Sequence, residues 1–171
     1  MKTLKQHIFE KLKVSKNPYT LFPKTTEELK HMIEDEISKN GYECSLNHID
    51  VSKITDMSGL FYKSKFNGDI SEWNVSSVTD MSYMFYNSKF NGDISNWNVS
   101  NVTNMKCIFY GAKFNRDISN WNVSNVENMY AMFLFSAFSG DISNWDVSNV
   151  RNMAYIFGST PLEKNPPKWY K

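Results

Sequence analysis

Little in this chain could staple it, carry it through a membrane or hold a metal. Of its 171 residues only two are cysteine, Cys44 and Cys107, and they stand in non-adjacent parts of the repeat pattern described below. No disulfide is expected between them, which fits a reducing compartment. No window approaches the roughly 20 consecutive apolar residues that a transmembrane helix needs, so membrane insertion is not expected. Lys2, Lys5, Lys11 and Lys13 interrupt the apolar stretch that a signal peptide would require. As it stands the sequence reads as cytoplasmic, or as a cell-surface protein if an export signal has been removed. The three histidines, His7, His31 and His48, are scattered, and Cys44-x-x-x-His48 lacks a second ligand pair. No metal site and no cofactor are therefore expected. There is no phosphate loop, no nucleophile elbow and no HExxH, so no catalytic residue is assigned and the chain does not read as an enzyme.

Net charge is +1, too small to attract nucleic acid or an anionic membrane as a whole. The charge is nonetheless segregated. Residues 1–24 carry six lysines against one glutamate, and residues 25–41 carry five acids against two lysines. Hydrophobic content of 41% and charged content of 22% are those of a folded domain.

What is abundant is repetition. The stretch from Phe90 to Met105 (FNGDISNWNVSNVTNM) has close copies starting at Phe66, Phe114 and Phe138, so the period is 24 residues. A fixed period of this size is the mark of a repeat architecture in which each unit buries its face against its neighbours. A degenerate first unit starts at Tyr42, where Leu46, Ile49, Val51, Ile54, Met57, Leu60 and Phe61 fill the apolar columns. Leu162 and Trp169 continue two of those columns at the other end, where Pro161, Pro166 and Pro167 would prevent further pairing.

Before the repeats, Thr3-Leu4-Lys5-Gln6 with Leu4, Ile8 and Leu12 predicts a short amphipathic helix. Thr25-Thr26-Glu27-Glu28 is a second capping box. It is followed by the stripe Leu29, Ile33, Ile37 and by a left-handed stop at Asn40-Gly41. The division expected is a helical segment and cap over 1–41, five 24-residue coils over 42–160, and a closing cap over 161–171. Within a coil, the alternation Trp97-x-Val99 predicts a short strand. The spacing of Val102, Met105, Ile108 and Phe109 predicts a helix from Thr103 to Ala112. The fold class predicted is α/β: a right-handed solenoid of short parallel strands and short helices with an N-terminal helical cap.

The recurrence of W-x-V-S-x-V and M-x-x-[MI]-F in register, as FNxDISxWxVSxVxxMxxMF, resembles the BspA-like leucine-rich-repeat family of bacterial proteins over residues 42–160. That resemblance implies a leucine-rich-repeat-like solenoid used for adhesion or partner binding, with no catalytic residues to transfer. Unlike the surface members of that family, this sequence carries no signal, no lipid-attachment cysteine and no wall anchor.

Each repeated column has a functional and a structural reading. Trp73, Trp97, Trp121 and Trp145 could form a carbohydrate platform, but Ile49 fills the same column, so they read as core. Met57, Met81, Met105, Met129 and Met153 likewise read as core. Asp69, Asp93, Asp117 and Asp141 resemble paired hydrolytic carboxylates, yet following a turn they are expected to accept backbone N–H groups. Asn74, Asn98, Asn122 with Asp146, and Ser76, Ser100, Ser124 and Ser148, read as polar ladders bonded along the stack; ice binding is the sharper alternative. The Asn-x-Ser/Thr sequons at Asn74, Asn98, Asn101 and Asn122 follow from the repeat itself.

The residues that change from coil to coil carry the functional expectation. With Met105 facing inward, positions 106, 107, 110 and 111 and their counterparts should face outward. They supply Tyr83, Tyr86, Tyr110, Tyr130, Leu134, Phe135 and Tyr155, with Tyr62 extending the set. Exposed aromatic groups close together mark interaction sites. The expected function is a non-enzymatic protein-binding module of bacterial or phage origin, pictured as a compact inhibitor of a host protein, its partner a protein of unknown identity. A surface adhesin is one alternative. A nucleic-acid binder through Lys2, Lys5, Lys11, Lys13 and Lys16 is the other.

Overall fold

The computed structural model describes residues 18–170. The helix expected near Leu4–Leu12 and the lysines from Lys2 to Lys16 lie outside them. Helix α1, Thr26–Asn40, forms where the second capping box placed it. Thr25 Oγ1 accepts the Glu28 N–H at 3.2 Å, and the Glu28 carboxylate accepts the Lys24 N–H at 2.7 Å. Two otherwise orphaned donors are thereby satisfied, which is what starts the helix here. Leu29 and Ile33 are buried in the common core, and Ile37 packs partly buried against it. At the stop, Gly41 has φ 84° and donates its N–H to Ile37 O, but its ψ of 173° is extended rather than left-handed helical. The Thr26 hydroxyl donates to Asp56 O at 2.7 Å and ties α1 to the first coil.

The rest of the chain corrects the α/β expectation. Among the described residues the only other helical element is a three-residue 3-10 turn, Pro161–Glu163, and parallel pairing is reduced to isolated bridges. Four of these bridges run in register, Asp56 to Asp80, Asp80 to Asn104, Asn104 to Asn128 and Asn128 to Asn152. The repeats thus stack as coils made of turns, with neither a sheet nor a helix in any of them. The strand expected at Trp97–Val99 is instead bent, since Trp97 N–H closes on Ile94 O and Val102 N–H on Val99 O.

The helix expected from Thr103 to Ala112 is replaced by an alternation. The N–H groups of Met105, Cys107, Phe109 and Gly111 donate to Asn128, Tyr130, Met132 and Leu134 of the next coil. Those of Ile108, Tyr110 and Ala112 close turns three residues back. Spacing explains the outcome. Coils joined directly by backbone hydrogen bonds sit about 4.8 Å apart, whereas packed helices need about 8–10 Å. A segment whose alternate N–H groups are spent on the next coil cannot also close the bonds of a helix, so turns replace it. The chain meets the alternation by placing residues in the left-handed region, with φ of 57° at Tyr83, 54° at Cys107 and 50° at Ala131 in one column. Asn87, Gly111 and Phe135 form a second such column at 50°, 61° and 60°. A positive φ at the third position of a turn is what a type II turn requires.

Side-chain oxygens shape the other corners. Asp93 Oδ1 accepts the Ser95 N–H at 2.9 Å, Asn98 Oδ1 that of Ser100 at 3.2 Å, and Asn104 Oδ1 that of Lys106 at 3.1 Å. Ser88 Oγ accepts the Phe90 N–H at 3.0 Å in the same way. These local bonds make each corner independent of any regular ladder. Asn74, Asn98 and Asn122 were expected to bond along the stack, but they are taken up in such corners. Asn101, Asn125 and Asn149 bridge the coils instead, donating to Ser76, Ser100 and Ser124 carbonyls at 2.7 Å each.

The interior is a set of aromatic ladders. Phe61, Phe85, Phe109 and Phe133 stack at 5.5, 5.6 and 5.8 Å, with Phe66, Phe90, Phe114 and Phe138 alongside at 6.2–6.3 Å. The four tryptophans of the repeat are buried, and each indole N–H reaches a carbonyl of the preceding coil, as Trp97 does to Ile70 O at 3.1 Å. Trp169 makes the same bond to Ile142 O, so the tail re-enters the tryptophan column and covers the end of the core. Gly68 marks the tightest approach between coils: a Cβ there would lie 1.9 Å from Cys44 O.

Candidate interaction face

The outward aromatic residues lie on the alternating segment of each coil, so their spacing is set by the stack. Tyr62 and Tyr86 stack at 4.9 Å and Tyr86 and Tyr110 at 4.5 Å, both pairs with ring planes 12° apart. Phe135 continues the row edge-on to Tyr110 at 5.6 Å. Tyr83 leans on Tyr86 at 5.8 Å, and Tyr130 meets Tyr155 edge-on at 5.9 Å. The predicted residues therefore form two neighbouring groups, one built on Tyr86 and Tyr110 and the other on Tyr130 and Tyr155. Phe135 and Tyr155 are 56% and 63% exposed, the largest values among the big apolar side chains of the described residues. Tyr83, Tyr86, Tyr110, Tyr130 and Leu134 are half-buried.

Three of the positions expected outward are not. Cys107 and Ala131 are buried, as is Ser82. A helical wheel had put them on the surface; Cys107 and Ala131 share a column and a left-handed backbone with the outward Tyr83 and Tyr155, and only their short side chains keep them covered. Burial raises the Cys107 thiol above its ordinary pKa. Both cysteines are free.

Lysines join the rings. Lys106 Nζ lies 5.4 Å from the Tyr83 ring centre and 5.7 Å from that of Tyr130, bridging the two groups, and Lys63 Nζ lies 5.2 Å from that of Tyr62. Such contacts contribute about 0.5–1 kcal/mol at exposed sites. A hydrogen bond to the Tyr83 side chain raises the Lys106 pKa, with the Tyr83 charge acting in the same sense. Desolvation, then the neighbouring Tyr110 and Tyr62, push the Tyr86 hydroxyl upward, so it stays a hydrogen-bond donor. Lys63 was not singled out from the sequence, although its place beside Tyr62 was visible there. Exposed Phe22 and Tyr42 were also missed; they lie outside the regular repeats.

The other candidate chemistries resolve into structure. Asp93, Asp117 and Asp141 are each held below the usual carboxylate range, chiefly by the N–H of the serine two residues on. Among the described residues no three His, Cys, Asp or Glu side chains are grouped to hold a metal, and no helix is long and apolar enough to cross a membrane. A groove of about 520 Å³ is lined by Glu34, Ile37, Ser38, Tyr42 and Ser64, and one of about 360 Å³ lies beneath the tail near Asp141 and Lys168.

A family model described as "Mycoplasma protein of unknown function, DUF285" matches residues 27–137 and again 90–170. The chain belongs to that family, which agrees in general terms with the repeat-family resemblance. No curated protein matches the chain, and no solved structure matches it.

Proposed function

We propose that this member of the DUF285 family is a non-enzymatic protein-binding module whose contact surface is the outward aromatic face. The observation that supports the reading is the row Tyr62, Tyr86, Tyr110 and Phe135, with Tyr130 and Tyr155 beside it. Large rings are held at fixed spacing, partly exposed, on a backbone locked by inter-coil hydrogen bonds. Pre-organised aromatic anchors reduce the entropy lost on binding and are the usual hot-spot residues. The BspA-like character of the repeats and an inhibitory action on the bound protein are finer parts of the same proposal.

The test is affinity isolation from the native host with mass-spectrometric identification. Replacing Tyr130, Leu134 and Phe135 with Ser removes the central anchors and is expected to abolish capture of the partner. Leu134 is half-buried, so a second variant, Phe135→Ser with Tyr155→Ser, changes only exposed rings and should weaken capture at least tenfold. An unchanged set of captured proteins with that second variant, its melting curve intact, overturns the proposal. Loss of the partner's own activity on binding would identify the module as an inhibitor.

A further inference from the structure

We infer that the partner offers this face an acidic polypeptide segment, an inference that rests on the binding-module reading above. Charge in the repeats divides with the geometry of the coil. The segments that carry the face from Tyr62 to Phe135, residues 57–68, 81–92, 105–116 and 129–140, contain Lys63, Lys65, Lys89, Lys106, Lys113 and Arg116 and no acidic residue, while the segment of Tyr155, 153–164, adds Lys164 and Glu163. The intervening segments, 69–80, 93–104, 117–128 and 141–152, contain eight carboxylates and a single arginine. Lys65, Lys89 and Lys113 are exposed and recur at the coil spacing, three residues beyond Tyr62, Tyr86 and Tyr110. Arg116 turns along the stack and donates from Nε to Asn91 O, and Lys63 and Lys106 lie over tyrosine rings, which leaves Lys65, Lys89 and Lys113 as the free charges of the face.

Rows of like charge at coil spacing repel one another, and no carboxylate within these four segments offsets this. Among the described residues the ion pairs are Lys39–Glu36, His48–Glu36 and Arg151–Glu127, none of which involves these lysines. The tyrosine hydroxyls and lysine ammoniums are hydrogen-bond donors, so the face is fitted to a ligand rich in acceptor oxygens and negative charge. Nucleic acid would supply both, but it binds such surfaces by stacking bases on open ring faces. Here the inner ring faces are occupied by their neighbours at 4.5 and 4.9 Å. A long polyanion would also meet the carboxylates of the adjoining segments. A short acidic peptide confined to the face meets neither obstacle.

The experiment selects binders from a random peptide display library on the whole chain, and in parallel on a Lys65→Glu, Lys89→Glu, Lys113→Glu variant whose melting curve matches. These three lysines are exposed and their replacement leaves the core untouched. Peptides selected by the unaltered chain should be net acidic and should bind at least tenfold more weakly to the charge-reversed chain and in high salt. Selection without charge bias overturns the inference, and so does tighter binding of a single-stranded oligonucleotide than of the selected peptides. Unbiased binders that are lost on Tyr86→Ser and Tyr110→Ser overturn the acidic partner alone and leave the binding module standing.

Discussion

Two aromatic ladders run along the same stack, one inside it and one outside. Phe61, Phe85, Phe109 and Phe133 form the inner one, with ring planes within 10° at each step. Tyr62, Tyr86 and Tyr110, one residue further on, form the outer one and stack as closely. The inner ladder continues to Phe157. The outer one changes at the next coil, where Leu134 takes the tyrosine position and Phe135 meets Tyr110 edge-on. Every coil presents the same slot to its interior, so the same ring fills it each time. On the outside the backbone repeats but no packing requirement dictates the side chain. What varies there answers to something other than the stack.

The comparison is tested hardest by removing one ring from each ladder. Phe109 touches Phe85, Phe114, Trp121 and Phe133, so Phe109→Ala leaves a cavity in the core and should cost about 3–5 kcal/mol in urea denaturation. Tyr110→Ala loses only stacking at a half-exposed ring, about 1 kcal/mol. Equal losses at the two neighbours would erase the distinction between support and surface.

A smaller effect comes from the spacing that both ladders share. Gly68→Ala places a methyl group against Cys44 O, a backbone atom that cannot swing aside, and should cost about 1–3 kcal/mol. Because it forces the first two coils apart, it should weaken the Phe61–Phe85 and Tyr62–Tyr86 stacks together. Near-ultraviolet circular dichroism would register the loss in both Phe and Tyr bands; a change confined to one would mean that the ladders are mechanically separate.

How far the sequence foretold this depends on what each signal measures. The column of Trp73, Trp97, Trp121 and Trp145 was legible as core because Ile49 stands in it, and α1 was legible because Thr25 and Glu28 are a local device. The secondary structure of the coils was not. Val102, Met105, Ile108 and Phe109 are all buried, and their spacing fits a helix as well as it fits a chain of turns. The deciding quantity is the distance between coils, which no single coil encodes. Cys107 and Ala131 were put wrongly on the surface because their short side chains do not reach out of a column whose larger members, Tyr83 and Tyr155, do. Phe135 and Tyr155 are exposed and Tyr86, Tyr110 and Tyr130 half-buried, as expected of positions that lie outside the buried stripe of Val102, Met105, Ile108 and Phe109.

The mildest test separates the corners of the coils from the inner ladder by pH. Asp93, Asp117, Asp141 and Asp146 accept serine N–H groups at the corners, and each has its pKa lowered by those bonds. A carboxylate whose folded pKa lies below its unfolded value, about 3.9 for Asp, adds stability above that value. The contribution is lost as pH falls through the depressed folded value. The melting temperature should therefore decline below about pH 4. Replacing the four with Asn should flatten that decline, since Asn98 and Asn122 accept the same bond without a charge to titrate. The inner phenylalanine ladder has nothing that ionises, so its near-ultraviolet signal should persist down to the pH at which the whole chain unfolds. If the variant's melting temperature falls with acid as steeply as that of the unaltered chain, these corners do not carry the acid sensitivity of the stack.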